Sequence, residues 1–90
     1  VYVIHQPPAG VGQGMISEAA DVGSRAVAEF LAERGGRLSL HGHIHESPFV
    51  GGRWRSKIGE TTCVQPGQLT GDGCVSVVID LESLEMDRSC

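Results

Sequence analysis

The sequence predicts an α+β domain in which a βαβ unit is followed by antiparallel strands. Three observations carry this reading. The apolar run VYVI at 1–4 is stopped by Pro7-Pro8 and reads as a short buried strand. A helical pattern bounded by Ser24 and Gly35-Gly36 separates it from a second apolar run at Leu38–Leu40. Two strands joined through a helix favour a parallel pair, because a parallel connection needs a crossover. The third observation is CVSVVID at 74–80, the clearest strand in the chain, which Leu81–Leu84 turns back towards a short edge at 85–88.

Each element has a local reason. Ser24 is an N-cap residue type, and Gly35-Gly36 stops the helix. Within it Val27, Phe30 and Leu31 fall at helical spacing and are expected to face a sheet, with Glu29 and Glu33 outward. Residues 9–22 (AGVGQGMISEAADV) have no clear period and are expected to be a mobile loop. Gly51-Gly52 is expected to form a hairpin-like turn. Thr61–Val64 reads as a strand ended by Pro66-Gly67. Arg53, Arg55 and Lys57 alternate and so share one strand face, either simply solvated or meeting a substrate phosphate; Trp54 points the other way, into packing.

Ninety residues make one small domain, 1–90, with a modest core. The net charge of -4 argues against a general nucleic-acid binder, which would carry a basic patch. Cys63, Cys74 and Cys90 are odd in number and form no C-x-x-C pair, which argues against a disulfide framework or zinc knuckle. They read as free thiols in a reducing, cytoplasmic compartment. No apolar run approaches the ~20 residues of a membrane helix, and no signal-peptide pattern is visible. Val1 opens directly into a strand without an initiator methionine, so the chain is expected to be a piece of something longer.

The histidines are the sharpest feature. His5, His41, His43 and His45 all follow strands. In an extended chain residues two apart point the same way, so His43 and His45 can aim two imidazoles into one space. His5 ends the strand expected beside theirs. Neutral imidazole is a good ligand for zinc, manganese and iron, and strand ends in such sheets are where sites are built. His5, His43 and His45 are therefore the candidate metal ligands. Gly42 would let the backbone turn closely around a metal.

The segments V-I-H-Q-P-P (3–8), L-H-G-H-I-H-E-S (40–47) and I-G-E-T-T-C-V-Q-P-G-Q (58–68) resemble consecutive C-terminal motifs of calcineurin-like metallophosphoesterases. The resemblance covers nearly the whole chain. It implies the C-terminal half of a two-sheet sandwich flanked by helices, and hydrolysis of phosphate esters at two divalent metal ions (Mn, Fe or Zn). His5 and His43 would bind one metal and His45 the other. The histidines would act as ligands, so no catalytic residue is assigned within this chain. His41 matches no ligand position and reads as a support for the ligands or for the fold. Glu46 is either a partner of a ligand histidine or a solvated carboxylate.

The sequence departs from the family in two ways. Gln65 replaces the usual Asn before Pro-Gly, a change of turn chemistry. The family's Asp-x-His, Gly-Asp and Asn-His motifs are absent, and Asp21, Asp72, Asp80 and Asp87 read as caps, turn residues or surface. The expected partners are thus the missing N-terminal half of the same domain and a phosphate-ester substrate, with no membrane. The isolated chain is expected to be inactive, and an exposed sheet edge points to a homo-oligomer or aggregation. Two other readings remain: a non-catalytic scaffold with the same fold, and a small domain holding one zinc through its histidines.

Overall fold

The structure is a computed structural model that describes residues 1–69 and 73–90. Asp72 lies outside the described residues. The domain is α+β; the described residues form one α-helix, one four-stranded mixed sheet and two small hairpins.

Chain order gives β1 Tyr2–Val3, β2 Met15–Ser17, β3 Ala20–Asp21, helix α1 Arg25–Arg34 and β4 Leu38–Leu40. A single 3-10 turn, Ser47–Phe49, follows, then β5 Arg55–Ile58, β6 Thr61–Val64, β7 Ser76–Ile79 and β8 Met86–Ser89. The main sheet has the order β1-β4-β6-β5. β1 runs parallel to β4, with Tyr2 opposite Ser39 and Val3 opposite Leu40, as the βαβ reading requires.

Beyond β4 the sheet differs from the expected antiparallel run. β6 enters beside β4 and parallel to it, with Ser39 opposite Cys63 and Leu40 opposite Val64. Antiparallel pairing is confined to β5–β6 in this sheet and to the hairpins β2–β3 and β7–β8. β6 takes the interior position because Thr61, Thr62, Cys63 and Val64 are all buried, a continuous run that suits a strand covered on both faces. Burial leaves the Thr61 hydroxyl satisfied: its Oγ1 donates to the Gly36 carbonyl at 2.8 Å.

Helix α1 begins as expected. The Ser24 side chain accepts from the Val27 amide at 3.1 Å, and Gly35 N closes the last turn on the Leu31 carbonyl at 2.9 Å. The buried stripe is narrower than the spacing suggested. Leu31 alone is buried; Val27 is half-buried and Phe30 exposed. Phe30 packs edge-on against Tyr2 of β1 instead, with ring centroids 5.2 Å apart, and the Tyr2 hydroxyl donates to the Arg34 carbonyl at the helix end.

Two loop expectations are corrected. Residues 9–22 contain the β2–β3 hairpin and are tied down at several points. Asp21 accepts from the Gly10 and Gly23 amides, and the Ser47 hydroxyl accepts from Met15 N while donating to the Gly12 carbonyl. Gly51-Gly52 does not turn a hairpin; it leaves the 3-10 turn, and the hairpin corner between β5 and β6 is Gly59-Glu60.

The β7–β8 hairpin alternates half-buried Val77, Ile79, Met86 and Arg88 with exposed Ser76, Val78, Asp87 and Ser89. Two arginines pin it. Arg37 donates to the Leu81 and Glu82 carbonyls, and Arg88 donates to the Pro66 carbonyl while lying over the Phe49 and Trp54 rings. Asp80 shapes the corner: the Glu82 and Ser83 amides bind its carboxylate and hold its pKa below the usual value.

Candidate metal centre

The parallel pairing of β1 and β4 brings their C-terminal ends together, where the histidines are. Ile4 N donates to the Leu40 carbonyl at 2.9 Å, and Gly42 N to the His5 carbonyl at 3.0 Å, so the two strand exits stay side by side. His5 and His43 are both exposed and meet across the gap. His5 Nε2 lies 3.0 Å from His43 Nδ1, with ring centroids 4.7 Å apart. An open groove beside them is lined by Val3, Ile4, His5, Leu40, His41 and Gly42.

His43 reaches this position through its own backbone. Its φ is +66°, in the left-handed region that side-chain-bearing residues avoid. Gly42 does not supply the expected freedom: its φ is not positive, and a Cβ there would make only ordinary contact with His5 Nδ1 at 3.9 Å. His45 is exposed, and its carbonyl accepts from Gln68 N at 2.8 Å. Among the described residues, no group of three or more His, Cys, Asp or Glu side chains is placed to hold a metal ion. The structure therefore pairs His5 with His43 and does not add His45 to them.

His41 has a different role. It is 6% exposed, and its Nδ1 faces the carbonyls of Ile4 at 2.9 Å and Gln6 at 3.1 Å, on either side of His5. Nδ1 must therefore carry the proton, and Nε2 accepts from the Ser39 hydroxyl at 2.8 Å. Burial pushes its pKa below the ordinary 6.5, and the two carbonyls pull it partly back. The ring is a neutral clamp on the backbone that carries His5.

Because the folded pKa of His41 is below its unfolded value, its contribution is complete above pH 6.5 and is lost as the pH falls through the folded pKa. Its partners are the Ser39 hydroxyl and the Ile4 and Gln6 carbonyls; opposite Ser39 on β6 sits the Cys63 thiol, whose pKa burial raises. Urea midpoints between pH 8 and 5 should fall for the wild type, and His41→Gln should flatten the decline. Equal declines in both would assign the acid sensitivity to other groups.

Two residues hold this region together, of which the sequence singled out Gln65 only for its turn and gave no role to Gln13. Gln13 and Gln65 are both fully buried. Gln13 Nε2 donates to the Cys63 carbonyl at 2.8 Å, and Gln65 Nε2 donates to the Gln13 carbonyl at 3.1 Å. The available signal was the placement of Gln65 before Pro-Gly and of Gln13 between glycines. Arg53, Arg55 and Lys57 do share an exposed face of the β5 region, and Arg53 and Lys57 line a groove with Gly10 and Gly12. Glu46 is exposed. No helix among the described residues is long and apolar enough to cross a membrane.

Comparison with protein-family models, curated proteins and solved structures returns no match.

Proposed function

We propose that this chain supplies the histidine side of a binuclear metal centre that hydrolyses phosphate esters, in the manner of the C-terminal half of a calcineurin-like metallophosphoesterase. The observation that carries the reading is the approach of His5 Nε2 and His43 Nδ1 to 3.0 Å at the exits of two adjacent parallel strands. Two nitrogens held about 2.0–2.1 Å from one tetrahedral ion stand about 3.3 Å apart, and cis-octahedral ligands stand slightly closer. The pair therefore fits a shared metal with little adjustment.

In this reading His5 and His43 hold one ion (Mn, Fe or Zn), and His45 is the ligand offered to the second. The ions would clamp the phosphate and lower the pKa of the attacking water. This chain's own part is positional: β1 and β4 fix the spacing of the imidazoles, and His41 holds the backbone around His5. The bridging carboxylate and remaining ligands come from an N-terminal half of the same domain, which completes a two-sheet sandwich. The substrate is a phosphate ester, and the setting is cytoplasmic.

The test is metal affinity. The chain should bind Zn(II) in competition with a chelator, and His5→Ala or His43→Ala should each weaken binding at least tenfold. Zn(II) binding that is absent, or indifferent to both substitutions, removes the metal centre. The alternative is a module that keeps the fold without catalysis. Hydrolysis of bis-p-nitrophenyl phosphate by the natural protein, lost in His43→Ala, decides for the enzyme; metal binding without hydrolysis decides for the module.

A further inference from the structure

The segment after β6, Gln65-Pro66-Gly67-Gln68, wraps the loop that carries His43 and His45. The Gln65 carboxamide is fully buried and uses both ends. Its Nε2 donates to the carbonyl of Ile44, the residue between the two histidines, and to the Gln13 carbonyl. Its Oε1 accepts from Gly67 N at 2.7 Å. Three residues on, Gln68 N donates to the His45 carbonyl at 2.8 Å. Two successive carbonyls of the histidine loop are thus bound by one turn.

His43 needs this support. Ile44 N donates to the Gly42 carbonyl at 2.7 Å, which closes a γ-turn with His43 at its centre. With φ at +66°, it has the sign of the rare, strained form of that turn. Such a turn relaxes to negative φ unless its ends are fixed. Relaxation swings the His43 side chain and tilts the Ile44 peptide. One end of the turn is fixed by Gly42 N on the His5 carbonyl. The other end is Ile44, whose own carbonyl, one peptide further on, accepts from Gln65 Nε2 and, at 3.2 Å, from Ser47 N.

We propose that Gln65 is a positioning residue: by binding the Ile44 carbonyl it keeps the strained turn in place and holds His43 Nδ1 against His5 Nε2. The consequence for metal affinity rests on the metal-centre reading above, whereas the imidazole pairing itself needs no metal. The residue type follows from the contacts. One group must donate to the Ile44 and Gln13 carbonyls and accept from Gly67 N. A carboxamide does all of this; a carboxylate lacks the donors, and a methionine has no donor and only a weak thioether acceptor.

The test uses the whole chain as wild type, Gln65→Met and Gln65→Glu. One readout is metal-free: the imidazole 15N resonances of His5 and His43, which report the N–H···N pairing. The other is Co(II) affinity by chelator competition. Both variants should lose the pairing signature and bind Co(II) about 10–100-fold more weakly, the usual effect of removing a group that orients a metal ligand. Ile79→Ala, at the corner end of the β7–β8 hairpin and paired with Met86, lowers stability away from the turn and should leave both readouts unchanged. A folded Gln65→Met that keeps pairing and affinity overturns the proposal. If neither Gln65 variant folds, the wild-type side-chain amide decides: slow exchange with a coupling across to the Ile44 carbonyl supports the role, and free exchange overturns it. If the wild type binds no Co(II) while Gln65→Met still loses the pairing, the metal centre falls and the positioning role stands.

Discussion

Replacing Gly67 with alanine is expected to destabilise the chain by about 2–5 kcal/mol and to displace the histidine loop in the same event. Gly67 has φ +75°, where an alanine pays about 1–2 kcal/mol for its Cβ alone. The larger cost is steric. A Cβ at this position would lie 2.7 Å from Pro48 Cδ and 2.8 Å from the His45 carbonyl oxygen. Neither neighbour can rotate away, since one belongs to a proline ring and the other to the backbone. Relief requires the His45 carbonyl to move, and that carbonyl is bound by Gln68 N. Gly59 is the natural control. Its φ is +57°, but a Cβ there meets nothing within 4 Å, so Gly59→Ala should show the backbone cost alone. Urea denaturation of both variants, with the His5–His43 pairing monitored by NMR, separates the two effects. Equal losses in the two variants would mean that the contact around the histidine loop is not close.

What the sequence made legible was local, and what it hid was not. The Ser24 cap, the Gly35 stop and the β1–β4 pairing follow from residues near one another in the chain or from the single crossover rule. The meeting of His5 and His43 is legible for the same reason, because parallel neighbours share their C-terminal ends. The β2–β3 hairpin was hidden because its supports come from elsewhere: Ser47, 32 residues on, holds Met15 N. The corner at Gly59-Glu60 was hidden because the Gly51-Gly52 pair carries the stronger local turn signal. The place of β6 between β4 and β5 is set by the burial of TTCV, a run whose threonines gave no sign that they face the interior. Gln13 and Gln65 were hidden by type, since glutamine is usually a surface residue. Their burial becomes intelligible only once the carbonyls they bind are known.

Leu31→Ala is the second large effect, at about 2–5 kcal/mol for a buried leucine. Set against the roughly 5–13 kcal/mol that a domain of this size has in total, it should bring the chain close to unfolding. The reason lies in how thinly α1 is attached. Ten residues are too few for a helix to be stable alone, so this one depends on docking. Leu31 is 2% exposed and is the one fully buried side chain on the helix, whereas Phe30 is 38% exposed and reaches β1 only through the edge of Tyr2. Once undocked, the helix loses the Arg34 carbonyl as a partner for the Tyr2 hydroxyl, and the two-residue strand β1 loses its outer support. His5 follows β1 directly, so the histidine pair should loosen before the rest of the sheet opens. Far-UV circular dichroism and urea midpoints for Leu31→Ala and Phe30→Ala, with the His5 resonances followed in parallel, test this order. The leucine variant should lose several times more stability than the phenylalanine variant. If Phe30→Ala proves the more damaging, α1 is held to β1 through Tyr2 and not to the core through Leu31, and the route from helix docking to the histidines runs along the outer edge of the sheet.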